Sequence, residues 1–302
     1  MRPYYLIISY LALMSCTTER EVELPAYEPK LVIDGAIEAV VEDGRVVGSV
    51  AKVAITNSVS FFESISGADL ARASDLSALV FISNGNLEEQ LVLRLFGNDE
   101  GSFPLDIYES RRIKGQIGGK YSIRIRFGDP SAQFFGSEYI AETTIPSPVT
   151  LDSVWMEREE ENDFRLRARL IDNPNQENFY RVFTRRKNKD NKFIPMHYST
   201  LGDQFFNGDT LDLTILRGLE SFSDVNKDLF FTEGDTIEVK FCAIDRLHFD
   251  FWRTLDRELY AAGNPFSSSG NTIESNIQTI SGEEALGVFG GYGATLYEVV
   301  AQ

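Results

Sequence analysis

Cysteine and histidine are both scarce: the chain has two of each in 302 residues. Cys16 and Cys242 allow at most one disulfide, so stability must come from packing rather than covalent staples. His197 and His248 offer little imidazole chemistry. No Gly-x-Ser-x-Gly elbow accompanies either for a Ser-His-Asp arrangement, and no cysteine–histidine spacing suits zinc. Basic residues are also few, with 29 Lys and Arg against 46 Asp and Glu and a net charge of −17. A field of that sign repels phosphate backbones, which excludes nucleic-acid binding as a function, and it argues against electrostatic adhesion to anionic lipid. The N-terminal apolar run, Leu6 to Met14, is far short of the roughly 20 residues a spanning helix needs.

That short run nevertheless has a reading. Arg2 supplies a positive start, the apolar stretch follows, and Leu13-Met14-Ser15-Cys16 puts a small residue directly before a cysteine. A charged start, a short apolar core and a small-residue cleavage site describe a secretory signal. The cysteine at the cut makes residues 1–15 resemble a bacterial lipoprotein signal, with Cys16 diacylated and then exposed as the new N-terminus. At about 0.8 kcal/mol per buried CH₂, two or three acyl chains make a stable anchor. With Cys16 consumed, Cys242 has no partner within the chain. Residues 16–29 are acidic and contain Pro25 and Pro29. They read as a tether reaching on the order of 20 Å. Acidic residues just after a lipidated cysteine resemble an export signal to the outer face of the outer membrane. The expected location is the outer membrane, lipid-anchored and facing the cell surface, with the periplasmic face as the alternative.

From Lys30 the apolar pattern has period two. Ala51, Val53 and Ile55 alternate with polar neighbours, as do Tyr121, Ile123, Ile125 and Phe127 with Lys120, Ser122, Arg124 and Arg126. Such alternation describes strands with one buried and one wet face. Ser83-Asn84-Gly85 after Leu79–Ile82 is a hairpin signal. Pro146 and Pro148 mark a boundary, giving an N-terminal immunoglobulin-like β-sandwich over 30–147 and a second β-rich domain over 148–302. Strands continue at Phe164–Leu170, Phe179–Arg185, Leu211–Ile215, Ile237–Ala243 and Tyr297–Val300. One segment breaks the rhythm: Leu247, Phe251, Leu255 and Leu259 recur every four residues, Asp245 suits the N-cap, and Gly263 and Pro265 follow. They predict a single amphipathic helix over 246–262, laid across the second sheet. The fold class is mainly β.

Candidate chemistry is thin. Asp224, Asn226 and Asp228 begin like a calcium loop, but Leu229 and Asp235 occupy the positions where an EF-hand needs Gly and Glu. The expected state is a solvated turn, with no metal or other cofactor. Glu157 and Glu159–Glu161 offer carboxylates at a predicted hairpin turn, where they face water rather than a cleft. Gly287, Gly290, Gly291 and Gly293 lack the Lys-Ser/Thr of a phosphate loop and read as turn residues. Adjacent aromatic pairs occur at Phe61-Phe62, Phe134-Phe135, Phe205-Phe206 and Phe230-Phe231. Neighbours on a strand point to opposite faces, so one ring of a pair can lie exposed for docking or for gripping a ligand. Phe205 and Phe206, beside the Asn207-Gly208 turn, are the preferred candidates.

Several local patterns, in order, resemble a lipoprotein family from Bacteroidetes outer membranes known as domain of unknown function 4249. They are Leu31-Val32-Ile33-Asp34-Gly35, Gly119-Lys120-Tyr121-Ser122-Ile123, Thr143-Thr144-Ile145-Pro146, Leu151-Asp152-Ser153-Val154 and Asp172-Asn173-Pro174 with Asn178-Phe179-Tyr180-Arg181. Phe206-Asn207-Gly208, Asn264-Pro265-Phe266, Ser275-Asn276-Ile277 and Gly287-Val288-Phe289-Gly290 complete the set. The resemblance implies a non-enzymatic lipoprotein accessory to a TonB-dependent outer-membrane barrel, helping to capture or gate a nutrient. It transfers no catalytic residue. The alternative is a stand-alone surface module that binds glycan or peptide.

Overall fold

The computed structural model describes residues 28–42, 44–58, 77–95, 106–218, 229–261, 272–280 and 285–302. The signal, Cys16, nearly all of the tether, Phe61-Phe62 and the calcium candidates Asp224, Asn226 and Asp228 lie outside those residues. Among them, no helix is long and apolar enough to cross a membrane.

The chain is mainly β. In order it forms β1 (Leu31–Glu42), β2 (Arg45–Gly48), β3 (Val50–Asn57), β4 (Ala78–Ser83), β5 (Glu88–Gln90), β6 (Val92–Arg94), β7 (Ile107–Lys114), β8 (Lys120–Phe127) and β9 (Glu138–Thr144). Then come β10 (Ser153–Arg158), β11 (Asp163–Ile171), β12 (Phe179–Arg186), β13 (Ile194–Gly202), β14 (Thr210–Ile215), β15 (Phe231–Thr232) and β16 (Thr236–Ile244). The single described helix, α1 (Arg246–Ala261), is followed by β17 (Gln278–Thr279) and β18 (Leu286–Val300).

These strands form three sheets. The large one runs β13-β12-β16-β18-β1-β3-β7-β6, with β2 hydrogen-bonded to β1. A five-stranded sheet runs β17-β9-β8-β4-β5, and a four-stranded one joins β10, β11 and β14 with β15 on β11. Period two explains the packing. Leu31, Ile33 and Ile37 of β1 and Val53 and Ile55 of β3 meet Val80, Ile82, Ile123, Ile125 and Tyr139 of the five-stranded sheet. On the same face of the large sheet, Tyr180, Val182, Ile237, Val239 and Phe241 meet Phe164, Leu166 and Leu170 of the four-stranded one. The result is a sandwich whose second layer is split in two. On the opposite face Phe179, Phe183, Cys242, Ile244, Tyr292 and Ala294 form a third cluster with Phe249 of α1.

Pro146–Pro148 marks the passage from the five-stranded to the four-stranded sheet, but the large sheet takes strands from both sides of it. Residues 30–147 and 148–302 therefore share one sheet instead of each building its own. The seam is β18, which pairs in parallel with β1 over ten residue pairs, from Val32↔Leu286 to Val41↔Thr295, and antiparallel with β16. A parallel pair needs a long crossover, and here nearly the whole chain is that crossover, so no local pattern announces it.

The glycines of β18 serve close approach rather than turns. A Cβ at Gly293 would lie 2.0 Å from the Pro146 carbonyl oxygen, and one at Gly290 would lie 2.1 Å from Cε1 of His248 on the opposite face. β18 is thus squeezed between the β9–β10 link and α1.

Candidate functional site

A cleft of about 500 Å³ opens where the β4–β5 hairpin, the start of β8, the end of β9 and the start of α1 come together. Its walls carry Ser83, Asn84, Lys120, Ser122, Glu142, Thr144, Arg246 and Leu247, among others. The hairpin is the one its Ser-Asn-Gly predicts. Asn84 Oδ1 accepts from the Leu87 N–H at 2.9 Å, and Gly85 takes φ 83°. Opposite it, Asp245 fixes α1. Its Oδ1 accepts the His248 N–H at 2.9 Å, the expected N-cap, while its Oδ2 accepts from Thr143 Oγ1 at 2.7 Å. Thr143 Oγ1 in turn accepts the Gly291 N–H at 2.7 Å. Helix, β9 and β18 are therefore tied at one point behind the cleft. Lys120 and Glu142 are exposed at its rim, so the lining offers hydroxyls, an amide and both signs of charge.

α1 occupies residues 246–261, nearly as the spacing predicts, but a different face is buried. Leu247 is 57 % exposed and Leu259 39 %, whereas His248, Phe249, Phe251 and Thr254 are buried. The glycine at position 290 explains this: it makes a seat for the His248 ring, which packs edge-on against Tyr292 at 4.6 Å. Burial, helped by the nearby Arg181 charge, pushes His248 down to about 3, against a hydrogen bond to the Gly291 backbone that favours the charged form. Burial likewise pushes the Cys242 thiol up to about 12, with Lys240 and Arg181 pulling the other way and Glu38 adding to the rise. An imidazole and a thiol both held uncharged at neutral pH do not make a thiolate–imidazolium pair. His197 lies on β13, ring-to-ring with the exposed Tyr198 at 4.6 Å; burial lowers its pKa.

The remaining expected site residues are scattered. Phe206 is buried in the second core with Phe164 and Phe231, so it is not an exposed gripping ring. The alternation argument assumed a strand, but Asp203–Phe205 is a 3₁₀ turn that rolls Phe206 inward. The side chain of Phe205 lies outside the described set. Phe135 is the exposed member of its pair, at 52 %. The acidic run at 157–161 is a solvent-facing hairpin, with Glu157 and Glu159 ion-paired to Arg167 and Arg165.

Two buried polar knots escaped the sequence reading as knots, although all their residues except Asp203 belong to the patterns quoted above. Asp172 accepts from the Tyr180 hydroxyl at 2.8 Å, the Asn178 amide at 3.2 Å and the Gly208 N–H at 3.0 Å. Asp203 accepts the Asn178 N–H at 2.7 Å. In the second knot, Asn276 copies a strand neighbour. Its Oδ1 accepts the Phe289 N–H at 2.9 Å and its Nδ2 donates to the Phe289 carbonyl at 2.8 Å. Both knots are saturated by the chain itself and serve the framework. Among the described residues no group of three or more His, Cys, Asp or Glu is placed to hold a metal ion.

A model of the family described as Domain of unknown function (DUF4249) matches residues 17–298. A comparison with curated proteins finds no match.

Proposed function

The chain belongs to the DUF4249 family, and from that premise we propose that it is a lipid-anchored, non-enzymatic lipoprotein of the outer membrane. It presents a polar cleft to a nutrient passing to or through a TonB-dependent barrel. The observation that carries this reading is the cleft between the β4–β5 hairpin and α1. Rigid elements build it, both charge signs and several hydroxyls line it, and His248 and Cys242 behind it are held uncharged. Such a site binds and orients; it does not supply a nucleophile. The Met1–Cys16 signal adds the anchor that would keep the cleft beside a barrel.

The test is co-purification of a barrel with the tagged lipoprotein after gentle detergent extraction. A clean monomer would overturn the transporter role. Mass spectrometry of the native N-terminus reads the anchor directly, and an unmodified Cys16 thiol would remove the envelope placement. A second reading, a stand-alone glycan- or peptide-binding module, is favoured by the same lining, which needs no second protein to complete it. It predicts ligand-array binding by the purified protein, lost in the Lys120→Ala, Glu142→Ala double variant, with no barrel recovered.

A further inference from the structure

The four charged groups around the cleft are not equally free. Arg246 is paired with Asp250 at 2.8 Å and with Glu177 at 3.0 Å. Asp245 spends one carboxylate oxygen on the His248 N–H and the other on the Thr143 hydroxyl. That leaves Lys120 and Glu142, both exposed, whose side chains have no ion-pair or hydrogen-bond partner among the described residues. One free cation and one free carboxylate therefore border a single recess of about 500 Å³. That volume lies within the roughly 300–1,000 Å³ of small-ligand pockets.

Strand register sets the spacing of this pair. Lys120 lies opposite Thr144, and Ser122 opposite Glu142, so the two charges stand at diagonal corners of one patch on the outer face of β8 and β9. Diagonal neighbours on adjacent strands are about 7–8 Å apart, and these two side chains do not close on each other as an ion pair. The hydroxyls of Ser122 and Thr144 fill the other corners. Asn84 stands above them with its Oδ1 committed to the Asn86 and Leu87 N–H groups at 3.1 and 2.9 Å, which leaves its amide NH₂ as a donor. Leu247, from the α1 wall, keeps 57 % of its surface in solvent. It is an apolar side chain that no core has taken up.

We propose that the cleft takes a short peptide of two or three residues with both ends free. Its carboxylate meets Lys120, its ammonium meets Glu142, and an apolar side chain lies against Leu247. The inference rests on the reading of the cleft as a binding site and names its ligand class. An extended peptide rises about 3.3–3.6 Å per residue, so two or three residues span the diagonal. A single amino acid, with its charges almost adjacent, would draw Lys120 and Glu142 into contact with each other instead. The peptide's amide groups meet the hydroxyls of Ser122 and Thr144 and the Asn84 amide. Charge selects against the alternatives. The net charge of −17 opposes the approach of an anion, and a simple cation would leave Lys120 unpaired beside it. A neutral sugar uses neither charge, and Tyr121 offers it no ring to stack on, being 4 % exposed with its hydroxyl bonded to the Gln116 N–H and the Lys114 carbonyl. A zwitterionic peptide gives each fixed charge its opposite, with charge-assisted hydrogen bonds at both ends.

Isothermal titration of the detergent-solubilised protein with alanyl-leucine and alanyl-alanyl-leucine tests this. At least one should bind saturably, and its N-acetylated and C-amidated forms should each bind at least tenfold more weakly. Lys120→Met and Glu142→Gln change exposed positions, so each should weaken the free peptide at least tenfold while leaving the melting temperature unchanged. The decisive readout matches each end to one residue. Lys120→Met should erase the penalty of amidation and keep that of acetylation, and Glu142→Gln should do the reverse. Silence from both peptides would overturn the proposal, as would equal binding of free and blocked forms, a variant that weakens all forms alike, or binding of maltotriose in their place. Recovery of a barrel is scored separately. A barrel with silent peptides removes the ligand class and leaves the transporter role standing; bound peptides with no barrel do the opposite.

Discussion

Replacing Gly290 with alanine tests the seating of α1 on β18. The new methyl would lie 2.1, 2.3 and 2.4 Å from three atoms of the His248 ring, well inside contact distance. Backbone yields little here, because Gly290 is paired with Ala36 of β1. The ring must therefore move, losing its Gly291 hydrogen bond and its edge contact with Tyr292 and tilting α1 away. Overpacking of this kind costs about 1–3 kcal/mol, occasionally more. At roughly 2–4 °C per kcal/mol for a chain of this size class, the melting temperature should fall by about 3–10 °C. His248→Ala alone removes a buried ring and should also destabilise, by about 2 kcal/mol. The double variant has room for the new methyl, so its loss should be smaller than the sum of the single losses by about 1–3 kcal/mol, a coupling typical of residues in contact. Calorimetric unfolding of the four proteins measures it. Strict additivity, or a Gly290→Ala variant within about 0.5 kcal/mol of the parent, would refute the close approach inferred for β18.

Asp245→Ala should cost about 1–2 kcal/mol, since it strips the α1 N-cap and the acceptor of Thr143 together; Asp245→Asn should recover most of that in the same denaturation assay. Phe206→Ala should destabilise by about 3–5 kcal/mol, while Phe135→Ala stays within about 0.5 kcal/mol; equal effects in urea unfolding would contradict the inward roll of Phe206. The folded value of about 3 for His248 lies below its ordinary 6.5, so the unfolded chain takes up the proton first. Stability should therefore decline as pH falls from about 6.5 towards 3. Asp34 and Asp256 are raised on folding by burial and slope the opposite way, losing stability as pH rises through their folded values. The His248 contribution is thus read as the difference from His248→Asn, and parallel stability curves between pH 6.5 and 4 would sink it.

Local periodicity carried much of the fold. The alternation of Tyr121, Ile123, Ile125 and Phe127 became β8 with those four side chains buried. Asp245 and the apolar spacing after it located α1 to within a residue at its C-terminal end. The face of α1 was misjudged because spacing records only which residues are apolar. Leu247 and Leu259 looked like the stripe, yet the sheet offered its seat to a histidine, through a glycine more than 40 positions away in the chain. Phe206 was misjudged because a three-residue 3₁₀ turn leaves no periodicity. At Pro146–Pro148 the chain passes from β9 of the five-stranded sheet to β10 of the four-stranded one, but β17 returns to the former, and the parallel union of β1 with β18 lies beyond any window of neighbouring residues.

The patterns that carry the family resemblance look unrelated along the chain, and many of them meet around β18. Gly119 accepts the Ile145 N–H at 3.0 Å, closing the turn before β8 onto the exit of β9. Thr143 joins that exit to the β18 backbone and to the cap of α1. Asn276 clamps the backbone of Phe289, and Ser275 donates to the Gly287 carbonyl at 2.8 Å. Asp34-Gly35 runs alongside Val288-Phe289 in the parallel pair. A short motif usually marks a reactive centre; these mark points where backbone must approach backbone, or where a side chain replaces a missing strand. The Thr143–Asp245 corner of the cleft and the seat of His248 are both tied to this one strand.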